Sequence, residues 1–123
     1  MVYTAANRSL SILEILVHVK GGAGTGGAAI STPFYLYAVS LDEALLEELL
    51  ISRLPAGWNS EPPTADSQNL GDAWVLAARS PVLAVPSVIV PEERNYLLNP
   101  NHPRFSGVQI GSPIMCSVDP RLL

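Results

Sequence analysis

The chain has 123 residues, 48% of them hydrophobic and 15% charged, which suits one domain with a real core and excludes a disordered chain. Its net charge is −4, with a single lysine and scattered arginines, which argues against a protein that grips a nucleic-acid backbone. A lone cysteine, Cys116, excludes an internal disulfide framework and fits a reducing cytoplasm, and no apolar run is long enough to span a bilayer. Two histidines and one cysteine, far apart, give no metal-ligand spacing.

Taken in order, Met1–Ala5 already reads as a strand, so the chain opens as if in mid-fold. Asn7–Arg8–Ser9 starts a helix in which Leu10, Leu13 and Val17 share a face, with Ile12, Leu16 and Val19 beside them. An apolar surface that wide predicts a mostly buried helix and leaves Glu14 with two readings. Either its carboxylate occupies the one exposed strip, with Ser11 and His18 three and four residues away, or it is buried and needs a partner or a chemical role. Gly21–Gly27 holds five of the nine glycines, but it follows a helix and lacks the Lys–Ser/Thr of a phosphate loop. It reads as a helix end and linker.

Phe34–Val39 is expected as a strand. Ser40, with Glu43 three residues on, predicts a capping box and a second helix with Leu41, Ala44, Leu45 and Leu49 inward and Glu47 and Glu48 solvated. Pro55–Ala56–Gly57 ends it, and Trp58–Gln68 is a polar loop. Asn69–Ala78 is a third predicted helix, begun by Asn69 or Ser67 and anchored in the core by Trp74 and Leu76.

The densest apolar stretch is Ser80–Pro103. Val82–Val85 and Val88–Val90 flank Pro86–Ser87, and Tyr96–Leu98 follows the charged turn Pro91–Arg94, all read as buried strands. Ser87 either satisfies its own backbone at a strand end or offers a hydroxyl to a site. Val108–Ile110 and Ile114–Val118 add one or two short strands. Strands and about three helices in this order predict an α+β fold with a mixed or antiparallel sheet.

Several blocks then point to a family. Tyr3–Thr4–Ala5, Ser9–Leu10 with Leu13–His18, Leu54–Trp58, Leu70–Trp74, Val85–Pro86–Ser87, Glu93–Pro103 and the closing Asp119–Leu123 together resemble a RES domain, in the family's order and over nearly the whole chain. The resemblance implies one domain over residues 1–123 with a fold similar to ADP-ribosyltransferases. It implies the toxin of a toxin–antitoxin pair that degrades NAD as substrate, with no other cofactor, and an Xre-type helix-turn-helix antitoxin as partner. By motif position Glu14 matches the family's glutamate, Ser87 its serine (with Ser80 the lesser candidate), and Tyr3 an aromatic group that stacks nicotinamide. The family's Arg–Trp–Asn segment lies before the Tyr3 position, so the chain is expected to lack that arginine, and Arg8 does not match the motif. An uncovered first strand would then favour self-association.

What the resemblance implies makes chemical sense. Cleavage of the nicotinamide–ribose bond leaves positive charge on the ribosyl centre, which a carboxylate such as Glu14 stabilises. Tyr3 would hold the ring, and Ser87 would orient the substrate. Three outcomes stay open: hydrolysis or phosphorolysis of NAD, transfer of ADP-ribose to a protein, and an inactive module that only binds the antitoxin.

Overall fold

The computed structural model describes residues 1–21 and 33–122. The main sheet contains β1 (Val2–Ala5), β4 (Leu46–Glu48), β5 (Val82–Pro86) and β6 (Arg94–Leu98) in the order β1-β6-β5-β4. β6 runs antiparallel to both β1 and β5, while β5 and β4 are parallel. Two antiparallel pairs flank it: β2 (Phe34–Leu36) with β8 (Ile114–Cys116), and β3 (Val39–Ser40) with β7 (Gln109–Ile110). Among the described residues the α-helices are α1 (Arg8–Gly21) and α2 (Ala65–Ala77). The fold is α+β with a mixed sheet, as expected.

Register assigns the two faces of the sheet. Tyr3, Leu97 and Leu83 lie opposite one another, as do Ala5, Asn95 and Val85, and alternation puts all six on one face. Leu83 and Leu97 pack there against Trp74 of α2. The other face carries Val82 and Leu98, which bury against Leu45 and Val108. α1 packs partly elsewhere, with Leu16 against Val118 and beside Phe34.

Five expectations need correction, the plainest being Leu76, expected as a core anchor but 85% exposed on α2. The second helix is absent: Leu46–Glu48 forms β4, preceded by a 3-10 turn over Glu43–Leu45 that Asp42, not Ser40, caps by accepting from the Ala44 N–H at 2.9 Å. Leucine and glutamate favour helix locally, but parallel pairing with β5 outweighs that preference. The helix count therefore falls from three to two among the described residues. Phe34–Val39 is two strands, because Phe34–Leu36 pairs with β8 whereas Val39 turns to β7. Val88–Val90 is not a strand but part of the β5–β6 connection, closed by Ser87 N–H to Glu93 O at 2.9 Å and Glu93 N–H to Val90 O at 2.8 Å. α1 is less buried than its composition predicts, since Leu13 and Val17 are exposed. Of the predicted glycine linker, only Gly21, the last residue of α1, lies within the described residues.

The third predicted helix exists as α2 but starts earlier, where Thr64 Oγ1 accepts from the Ser67 N–H at 3.2 Å. Its far end is closed by Ala78 in the left-handed region, φ 50° and ψ 37°, with its N–H on Trp74 O. His102 holds that residue: Nε2 lies 2.8 Å from Ala78 O, while Nδ1 accepts from the Arg104 N–H at 3.0 Å. These two bonds define the tautomer, with the proton on Nε2. A left-handed alanine costs about 1–2 kcal/mol, partly offset by its smaller unfolded-state entropy. Ala78→Gly is therefore expected to raise the unfolding free energy by roughly 0.5–1 kcal/mol in urea titrations.

Beside that helix end, Trp74 Nε1 donates to Ser80 Oγ at 3.0 Å, and Ser80 donates in turn towards Glu47 Oε2 at 3.2 Å or Val82 O at 3.1 Å. Glu47 also pairs with Arg79 at 2.9 Å, and that bond holds the guanidinium above its ordinary pKa. Ser80 thus joins α2 to β4 and β5, at a distance in the network from Glu14.

Candidate active site

Asn7 sets the position of Glu14. Its Oδ1 accepts from the Leu10 N–H at 2.8 Å, which caps α1 one residue after the sheet ladder ends with Ala6 N–H on Arg94 O. The helix therefore starts at a defined height beside β6. Leu10 and Glu14 are one turn apart on the same side of α1, and Leu10 is almost fully buried. Glu14 accordingly faces the sheet, and its hydrogen bonds go to Ser87, the first residue after β5, and to Asn95 of β6 rather than to Ser11 or His18. Ser11 donates to Asn7 O instead, and His18 is exposed.

Two donors converge on one oxygen of Glu14. Ser87 Oγ donates to Oε1 at 3.1 Å, and Asn95 Nδ2 donates to the same atom at 2.7 Å. One donor is on β6 and the other is the first residue after β5. Asn95 lies opposite Val85 in the β5–β6 register, and Ser87 is two residues beyond Val85. Oε2 has no hydrogen-bond partner among the described residues. The carboxylate is thus held by one oxygen and leaves the other to be bonded.

Ser87 has no spare capacity. Its Oγ accepts from the Ile89 N–H and from the Val90 N–H, each at 3.1 Å, and its one proton goes to Glu14. With 0% exposure, it is also out of reach of solvent. Ser87 thus satisfies the local backbone, as one reading had it, and also holds the Glu14 carboxylate. Ser87→Ala leaves two N–H groups and one carboxylate bond unmet, and chemical denaturation is expected to register a loss of about 1–3 kcal/mol.

Tyr3 is 69% exposed on the edge strand β1 and bonds neither Glu14 nor Ser87. It borders a cavity of about 150 Å³ whose walls include Trp58, Leu70, Val85, Val88 and Asn95. Tyr3 and Glu14 are thus connected through Asn95, which lines the cavity and grips the carboxylate. Trp58 reaches it from the turn after Gly57, whose φ of 77° is left-handed and natural only for glycine. A larger open groove of about 1120 Å³ runs along β1 among Val2, Thr4, Tyr96 and Leu98; Tyr3 borders it too, but Glu14, Ser87 and Asn95 do not.

Asn95 is the residue that sequence reading treats only as scaffold. It is 8% exposed, and its Oδ1 is buried with no partner. Its signal was a polar side chain two residues before Leu97 on the face that α2 covers, a position at which strand patterning calls for an apolar residue.

A family model described as RES domain matches residues 1–119. A protein of Sphingobium sp. (strain YBL2) named Prs ADP-ribosylating toxin is 35% identical over 126 residues, covering all of this chain and 74% of its own length. A protein named Toxin Res from Yersinia enterocolitica is 34% identical over 125 residues, 98% of this chain and 76% of its own. A second Toxin Res, from Photorhabdus laumondii, is 38% identical over 99 residues, 80% of this chain and 60% of its own.

Proposed function

The chain belongs to the RES domain family, and we propose that it is the toxin of a toxin–antitoxin pair that consumes NAD by breaking its nicotinamide–ribose bond. The observation that carries this reading is the state of Glu14, with Oε1 held by Ser87 and Asn95 and Oε2 unpartnered among the described residues. The names of the relatives, all toxins and one ADP-ribosylating, support the same class.

In the proposed reaction the bond between the ribose C1′ and the ring nitrogen breaks, and its electron pair goes to nitrogen, so nicotinamide leaves neutral. The ribosyl centre takes on oxocarbenium character, which the nearby carboxylate of Glu14 stabilises. An oxygen of water or phosphate then bonds to C1′ and gives up its proton to Glu14 or to solvent. Tyr3 would offer its ring to the departing nicotinamide. Ser87 acts through Glu14 and is a positioning residue in this scheme. An Xre-type helix-turn-helix antitoxin that covers the site would complete the pair. Incubating the purified protein with NAD, with and without phosphate, tests the reaction. Nicotinamide with ADP-ribose indicates hydrolysis, nicotinamide with a phosphorylated ADP-ribose indicates phosphorolysis, and undiminished NAD overturns the proposal.

A second reading is favoured by the Sphingobium relative's name. The same step at C1′ with a protein side chain as nucleophile is ADP-ribosylation. NAD labelled in its adenosine half separates the two, since transfer leaves the label covalently on a protein and hydrolysis leaves it in a small molecule.

A further inference from the structure

We infer that Asn95 is a positioning residue for Glu14, whose side-chain nitrogen fixes the carboxylate in the orientation that leaves Oε2 for the reacting centre. The inference rests on the assignment of Glu14 to NAD cleavage and goes beyond it, since Asn95 is only 8% exposed and acts through Glu14 alone. The terminal torsion of a glutamate is broad, so the plane of its carboxylate has no fixed setting of its own. Ser87 by itself would leave a pivot, because one bond at 3.1 Å holds Oε1 and lets the group turn about it. Asn95 Nδ2 lies 2.7 Å from the same oxygen, the shorter of the two bonds, and it comes from β6, whereas Ser87 follows β5. Two donors from separate places pin Oε1, and the Asn7 cap on α1 fixes the other end of the side chain.

Both donors are neutral. Among the described residues no cation pairs with Glu14, so the carboxylate keeps its whole charge for a cationic ribosyl centre. An arginine or lysine in place of Asn95 would hold the group as firmly and cancel the charge it supplies. The other half of the amide shows that stability is not what this residue serves. A carboxylate can only accept, so the nitrogen is turned to Glu14 and Oδ1 away from it. That oxygen is buried without a hydrogen-bond partner among the described residues. An unpaired buried carbonyl is destabilising, and an apolar side chain at this register position, opposite Val85 and two residues from Leu97, would avoid it. A polar residue that weakens a covered sheet face in this way belongs to the site rather than to the core.

The test compares the intact chain with Asn95→Leu and Asn95→Asp, measuring nicotinamide release and a melting curve for each. Near neutral pH both variants are expected to lower kcat by about 10- to 100-fold with KM within about threefold of the parent, the pattern of a misplaced group that makes no substrate contact. Asn95→Leu should melt within about 4 °C of the parent, since it removes the orphaned oxygen together with the donor. Asn95→Asp carries the sharper readout. It sets a second carboxyl against Glu14, and two carboxyl groups that close share one proton, which restores an O–H donor to Oε1. Among the described residues Glu14 is the one titratable group bonded at this position; Tyr3 shares the face, and Arg94 pairs with Glu48. Relative to the parent at the same pH, Asn95→Asp should therefore regain about tenfold in kcat between about pH 8 and about pH 5.5, which a residue that merely filled space would not do. Activity of either variant within about threefold of the parent, a raised KM at unchanged kcat, or an Asn95→Asp deficit independent of pH overturns the inference. The pH comparison decides alone if Asn95→Leu fails to fold. The reaction is judged separately: slow Glu14→Gln beside parental rates in both Asn95 variants keeps the reaction and removes Asn95, whereas a parent protein that leaves NAD intact removes both.

Discussion

Glu14→Gln is expected to slow NAD consumption by about 10²- to 10³-fold with little loss of stability, the range seen when one group that stabilises transition-state charge is removed. The substitution is close to isosteric. Its amide oxygen can still accept from Ser87 Oγ and Asn95 Nδ2, so the contacts joining α1 to β5 and β6 survive. What disappears is the negative charge at the position of Oε2. A carboxylate that only tied the helix to the sheet would behave differently: activity would stay near that of the parent. The measurement is the rate of nicotinamide release, read beside a denaturation curve for each protein. Parental turnover by Glu14→Gln would remove Glu14 from the mechanism.

The largest effect on stability is expected at Trp74. The side chain is 2% exposed, packs on Leu83 and Leu97, and donates to Ser80 Oγ at 3.0 Å. Truncation of a buried aromatic residue to alanine costs about 3–5 kcal/mol. Small domains have only about 5–15 kcal/mol in total, so Trp74→Ala should lower the melting temperature by more than about 10 °C. The consequence reaches the site, because Leu83 and Leu97 also line the cavity beside Tyr3, and the ring of Trp74 backs them. Trp74→Phe divides the effect. It keeps most of the packing and removes the indole N–H, and a loss near 1 kcal/mol is expected. If calorimetry found the two variants equally stable, the packing of α2 on the sheet would be of little importance to the fold.

Much of the architecture could be read locally. The strand at Val2–Ala5, the helix starting after Asn7, the helix around Trp74 and the strands at Val82–Pro86 and Arg94–Leu98 all follow from apolar patterning, β-branched content and caps. Where reading failed, local preference and pairing disagreed. Leu46–Glu48 would suit a helix in isolation, and a neighbouring strand with open hydrogen-bonding groups drew it into the sheet. Val88–Val90 is as β-branched as any strand here, yet Ser87 and Glu93 close a connection around it.

The candidate site divides in the same way. Glu14, Ser87 and Tyr3 could be singled out from the sequence, the first as a charge on an apolar helix, the second as a hydroxyl at the break between two apolar runs, and all three by family motif. Residue order alone did determine the α+β class, the helix that carries Glu14, and the strand pair that meets it, because periodicity records which side of each element is apolar. Only the tertiary structure decided what Glu14 touches. The cap at Asn7 sets the height of α1, and the β5–β6 register places Asn95 opposite Val85. Together these bring residues 73 and 81 positions from Glu14 onto one of its oxygens. No pattern along the chain encodes that meeting, since it depends on the relative placement of three elements, and each contributes only its own face.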